Sequence, residues 1–140
     1  MIDFENRTET VINLLPLDTI KSYLKVGDIE LIITDNQDIK EINREFRSID
    51  KPTDVLSFPY EPMPMGPVGS IVISVDYVRN VSKELRHSFE DELSLLFIHG
   101  LLHLIGYDHE VDRGEMRLKE EAVIGYFNLP DSLIIRNEEK

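Results

Sequence analysis

The chain contains no cysteine. Disulfides, thiol nucleophiles and thiolate metal sites are therefore excluded together, and any metal must be held by imidazole and carboxylate. No apolar run approaches the ~18–20 residues of a membrane span. The opening segment MIDFENRTET has no basic region leading into an apolar one, so no secretory signal is expected and a cytoplasmic location is. Positive charge is also scarce: 15 Lys and Arg against 27 Asp and Glu give a formal net charge of −12. Residues 1–70 carry seven basic and 13 acidic groups and residues 71–140 eight and 14, so each half stands at −6. The summed field repels phosphate and argues against broad nonspecific binding to polyanions, although a local basic patch could still bind them.

What is present is an ordinary globular composition, 41% hydrophobic and 30% charged over 140 residues, which suits one domain over 1–140. Residues 59–70, PYEPMPMGPVGS, hold four of the seven prolines and two glycines and predict a long ordered loop. Around it, short β-branched runs predict strands at 29–34 (IELIIT), 54–58 (DVLSF) and 71–75 (IVISV), with an edge strand at 1–4. Helices are expected at 18–24, after Asp35 or Asn36 with Ile39, Ile42 and Phe46 at helical spacing, from Ser74 or Asp76 to about Leu85, and at 112–126. The strongest helix signal follows Ser88, which with Asp91 has the form of a capping box. From Leu93 to Ile105 this helix is apolar on nearly every side, hence central and buried, and Gly106 is a natural stop.

That helix carries two of the four histidines. His99 and His103 stand one turn apart, so both rings project from one face and can chelate a divalent ion. Gly106 lets the chain turn back and bring His109 round as a third ligand, and three nitrogens with an open fourth position are the pattern of a catalytic zinc site. Such imidazoles leave the metal its double positive charge and lower the pKa of bound water toward ~7. Imidazole sites also accept nickel, cobalt and copper. Core or surface histidines without metal are the plainer reading, but unpartnered imidazoles are costly in so apolar a helix. The spacing matches the metzincin peptidase pattern except that Gly100 takes the place of the water-activating glutamate. A glycine in mid-helix costs about 1 kcal/mol relative to Ala, which suggests a close approach there by a backbone, water or substrate, or simple packing.

The sequence resembles the YbeY family of bacterial metallo-endoribonucleases and rRNA maturation factors. The likeness rests on HGLLHLIGYDH at 99–109, on Phe46-Arg47 through KPTDVLSFP at 51–59, and on Gly69-Ser70-Ile71-Val72-Ile73-Ser74, in family order. One departure is Ser70, where the family usually has Asp. The resemblance implies zinc-dependent, single-strand-specific RNA cleavage, with roles in 16S rRNA 3′-end maturation and 70S ribosome quality control. It implies one zinc ion held by His99, His103 and His109, and RNA, the ribosome or ribosomal proteins as partners, with neither membrane nor DNA expected. The fold expected is α+β: a small mixed sheet of about four strands flanked by helices, the metal-binding helix central, zincin-like.

Charge that builds on phosphoryl oxygens calls for a fixed cation besides the metal. Arg47 matches the family's arginine ahead of the Pro-Thr-Asp run, and a guanidinium grips phosphate through a bidentate fork. Lys40, Arg44 and Arg47 lie at i, i+4 and i+7, with Lys51 just beyond, forming one basic stripe; the plainer reading is a solvated face paired with Glu41 and Glu45. Asp108 could hold a ligand imidazole, act as a base or cap a turn. Asp54 and Ser57 could line the cleft, though Asp54 could simply fix a turn. Tyr107 could stack on a base, with packing preferred. Phe4, Tyr60 and the Met63/Met65 loop could contact substrate, with hydrophobic packing preferred, and His87 is expected to lie on the surface. The rivals to an RNA hydrolase are a zinc peptidase, disfavoured by Gly100, and a ribosome-assembly factor with a non-catalytic metal.

Overall fold

The computed structural model describes residues 1–107 and 114–130. Among the described residues nine elements follow one another: β1 (Ile2–Asn6), α1 (Leu15–Tyr23), β2 (Ile29–Thr34), α2 (Asn36–Arg47), β3 (Val55–Pro59), β4 (Gly69–Ser74), α3 (Val75–Leu85), α4 (Phe89–Leu104) and α5 (Glu115–Phe127). The strands form one mixed sheet in the order β1-β2-β4-β3, the first two pairings parallel and β3 antiparallel to β4. This is the α+β sheet with a central histidine-bearing helix that the sequence predicts.

Strand alternation divides the sheet into two unlike faces. Leu31, Ile33, Ile71 and Ile73 point to the larger core, with Leu17 and Ile20 of α1, Val78 of α3, most of α4, and Met116 and Val123 of α5. Leu56 and Val72 point the other way, onto Ile39 of α2, with Ile32, Ile42 and Phe58 at the margin. Helix α4 thus packs on one side of the sheet and α2 on the other.

The ends of these two helices follow from local chemistry. The Asp35 side chain accepts from Asp38 N at 2.9 Å and starts α2; Ser88 Oγ accepts from Asp91 N at 3.0 Å and starts α4. At the far end of α4, Gly106 takes a φ of +105°. Its N–H donates to the His103 carbonyl at 3.1 Å and that of Tyr107 to the Leu102 carbonyl at 3.0 Å. This is the paired Schellman closure that a left-handed glycine permits.

Three local expectations are corrected. Helix α1 begins at Leu15 rather than Asp18, because Pro16 suits the first helical turn, where its missing N–H is no loss. The loop is shorter than its composition suggests, since Pro59 ends β3 and Gly69-Ser70 open β4. Met63 and Met65 do not pack but are 69% and 102% exposed: prolines on both sides hold that stretch away from the core. Helix α5 starts at Glu115, and residues 112 and 113 of the expected helix lie outside the described residues. Among the described residues, no helix is long and apolar enough to cross a membrane.

Candidate metal centre and the neighbouring basic face

Helix α4 turns Gly100 and Leu104 toward the sheet, Gly100 against Ile71 and Ser57, Leu104 against Gly69. At about 100° per residue, this leaves His99 and His103 facing sideways, roughly a quarter-turn from the sheet. Their Nε2 atoms converge to 3.1 Å, with ring planes at 80° to one another. Each ring is also held from behind. His99 Nδ1 lies 3.2 Å from Glu120 Oε2, and His103 Nδ1 lies 2.9 Å from the Tyr107 carbonyl that the Schellman turn brings back.

A carboxylate oxygen and a backbone carbonyl stand as the acceptors here, so both Nδ1 atoms are assigned the proton. Both Nε2 atoms then present lone pairs to one another. Two such acceptors suit an electrophile shared between them. In a tetrahedral site with metal–nitrogen bonds of about 2.0–2.1 Å, two ligating nitrogens sit roughly 3.3 Å apart, close to the separation found here. The residues present therefore fit a divalent cation.

Among the described residues, no cluster of three or more His, Cys, Asp or Glu groups forms a metal site. The expected third ligand, His109, lies outside the described residues, as does Asp108, and the zincin-like element of the fold expectation depends on that segment.

Gly100 explains itself by packing. A Cβ at that position would lie 3.1 Å from both Ile71 Cγ2 and Ser57 Oγ, and the Ser57 hydroxyl donates to the Gly100 carbonyl at 3.2 Å. The glycine lets helix and sheet approach, and a glutamate there would have to displace the Ile71 and Ser57 side chains. Gly100→Glu is accordingly expected to destabilise the fold by about 3 kcal/mol or more, through overpacking and a buried charge, without creating peptidase activity. Thermal unfolding and casein turnover check this; a stable variant that hydrolyses casein would revive the peptidase reading.

On the other side of the sheet, Lys40, Arg44, Arg47 and Lys51 are all exposed. None of them takes part in the ion pairs among the described residues, and the pairing with Glu41 and Glu45 that the plainer reading supposes is not formed there. Lys40 and Arg44 line a crevice of about 760 Å³ together with Asp35, Asp50 and Asp76. Arg47 lies in the last turn of α2, on the face of the sheet opposite the histidine-bearing α4. Its neighbour Phe46 is 65% exposed yet meets Phe58 of β3 edge-on at 5.6 Å.

A second groove of about 600 Å³ runs beside that contact, floored by Phe58, Ser70 and Val72 and rimmed by Asp38, Glu41 and Glu45. Arg7 is hydrogen-bonded to Glu5 and to Asp38, which holds its guanidinium above its ordinary pKa. Burial pushes the Asp38 carboxyl up, but hydrogen bonds from Thr34 and Arg7 outweigh it and hold the carboxyl below its usual range.

The remaining candidates separate. Asp54 accepts from Val55 N at 2.8 Å and its carbonyl accepts from Ser74 N, so it fixes the turn into β3. Phe4 and Tyr107 pack against the larger core, whereas Tyr60 is exposed, its hydroxyl 3.4 Å from Glu30 Oε2. His87 is not a surface residue: its Nε2 lies 2.8 Å from Glu92 Oε1, with side chains only 11% and 2% exposed. Glu120 escaped the sequence reading. Its signal was a carboxylate on the apolar stripe of α5, at i+4 from Met116 and three residues before Val123.

Comparison with known proteins follows the same lines. A family model described as endoribonuclease YbeY matches residues 2–128. A protein of Nautilia profundicola named endoribonuclease YbeY is 58% identical over 139 residues, covering 99% of this chain and 100% of its own. Its namesake in Wolinella succinogenes is 52% identical, covering 99% of both chains. The solution structure of TM1509 from Thermotoga maritima superposes with a TM-score of 0.58 at 29% identity, covering 91% of this chain and 92% of that one.

Proposed function

The chain belongs to the endoribonuclease YbeY family, and from that premise we propose that it is a zinc-dependent hydrolase that cleaves single-stranded RNA. The observation carrying the metal half of this reading is the pair of Nε2 donors converging to 3.1 Å, each ring anchored through its Nδ1. His99 and His103, with His109 as third ligand, would hold the ion. When bound, zinc supplies Lewis acidity, which lowers the pKa of ligated water toward ~7 and stabilises charge on phosphoryl oxygens.

The protein's own groups bind and orient the strand. The exposed guanidinium of Arg47 and the stripe of Lys40 and Arg44 lie on α2, and the histidines lie on α4, with β3 between them. An RNA strand that follows the stripe and passes round the edge of β3 reaches both. Arg47 grips phosphodiester oxygens through its fork, a geometry that lysine does not reproduce. The kinetic signature separates two places for that grip: a fall in kcat for Arg47→Lys puts the guanidinium on the reacting phosphate, and a rise in KM alone puts it on the flanking backbone.

The double charge reversal Lys40→Glu with Arg44→Glu is expected to weaken RNA binding. It should also reduce the slope of log affinity against log salt by about 1.4, at ~0.7 per single-strand phosphate contact. An unchanged slope removes the stripe from the RNA path. The resemblance extends the activity to 16S rRNA 3′-end maturation and ribosome quality control in the cytoplasm. A net charge of −12 fits an enzyme delivered to RNA by a ribosomal partner rather than by its own field. Tight cleavage of isolated RNA at physiological salt would contradict that delivery.

A further inference from the structure

We propose that Glu120 is the positioning residue of the metal centre, its buried carboxylate fixing the tautomer and the aim of the His99 donor. The proposal rests on the metal reading above and adds a residue and a role to it.

Glu120 sits in α5 and is 0% exposed. A carboxylate so placed has lost its hydration and needs a compensating partner. The Nδ1–H of His99, 21 positions earlier in the chain, meets its Oε2 at 3.2 Å. With a carboxylate oxygen as the acceptor facing it, the ring proton is assigned to Nδ1 and the Nε2 lone pair is left to face His103. Negative charge behind an imidazole raises electron density at the far nitrogen and strengthens it as a donor to a cation. The same carboxylate offsets part of the positive charge that a divalent ion would bring into a partly buried site.

The two rings are therefore held by different means. His103 is set by the backbone of its own helix end, through the Tyr107 carbonyl at 2.9 Å, which no substitution removes. His99 depends on a side chain from another helix. Of these two Nδ1 contacts, the one to Glu120 is the one a side-chain substitution can tune.

The competing account is a structural ion pair between His99 and Glu120 that never serves a metal. Zinc affinity, measured by competition with a chromophoric chelator, separates the two when paired with thermal unfolding of the metal-free protein. Glu120→Gln keeps the size and an acceptor oxygen but removes the charge. It is expected to bind zinc about 10–100-fold more weakly than wild type, with metal-free unfolding unchanged or at higher temperature. Lower metal-free stability with zinc affinity intact overturns the proposal. If wild type takes up no zinc, the metal reading itself falls; if wild type and Glu120→Gln bind zinc equally, only the role of Glu120 falls. Should Glu120→Gln fail to fold, nitrogen-15 NMR of metal-free wild type decides. A His99 protonated on Nδ1 supports the proposal and one protonated on Nε2 overturns it.

Discussion

His103→Ala is expected to lose stoichiometric zinc and to cleave unstructured RNA at least about 10²–10³-fold more slowly than wild type. The figure follows from the several kcal/mol of charge stabilisation that a catalytic metal supplies, at ~1.4 kcal/mol per decade of rate. The imidazole of His103 is one of two donors whose Nε2 atoms meet at 3.1 Å, and a lone histidine is a weak ligand. His99→Ala is expected to do the same, and the double variant little more, because the pair acts as one unit. Metal analysis beside a gel-based cleavage assay is the check. Normal cleavage by metal-free His103→Ala would remove the metal from the chemistry. Loss of metal with no cleavage in wild type either, alongside normal ribosome association, would favour a non-catalytic assembly factor.

Gly69→Ala is expected to destabilise the fold severely. Gly69 pairs with Pro59 where β3 and β4 meet. A Cβ added there would stand 2.5 Å from the Phe58 carbonyl oxygen, 2.6 Å from Leu104 Cδ2 and 3.0 Å from Pro59 Cα. Leu104 could swing aside, but the strand backbone cannot. The smallest possible side chain is expected to cost about 3 kcal/mol or more, a fall of roughly 10 °C in unfolding temperature for a domain of this size. Calorimetry on the two proteins checks this; a shift within 2 °C or so would mean that the strands separate more easily than their geometry indicates. Because Leu104 follows His103 directly, the same variant should also bind zinc less tightly.

Contrast between these glycines shows where local reading stops. Gly106 was legible as a helix stop because a left-handed closure is a local event that glycine alone performs without strain. Gly100 was visible as an anomaly in mid-helix, yet its cause was open, since the atoms it must clear belong to Ser57 and Ile71 on two other strands. Gly69 drew no notice as a contact point, because only the antiparallel pairing of β3 with β4 puts the Phe58 carbonyl beside it. His87 was misplaced for a related reason: its partner Glu92 lies on the next helix, and the charge pattern alone gives no sign that both are buried.

The sequence by itself determined most of the elements and the chemistry of the candidate donors. Absence of thiols left nitrogen and oxygen donors, a four-residue spacing put two imidazoles on one helical face, and apolar periodicity made that helix central. These are short-range facts, fixed by the helix repeat and by which side chains carry lone pairs. Tertiary structure decided what lies behind and around the donors. Glu120 meets His99 from a helix 21 positions away, and Arg47 lies on a helix packed against the opposite face of the sheet from both histidines. Such juxtapositions depend on how separate elements bury their apolar faces against one sheet, and no local pattern records which face each helix takes.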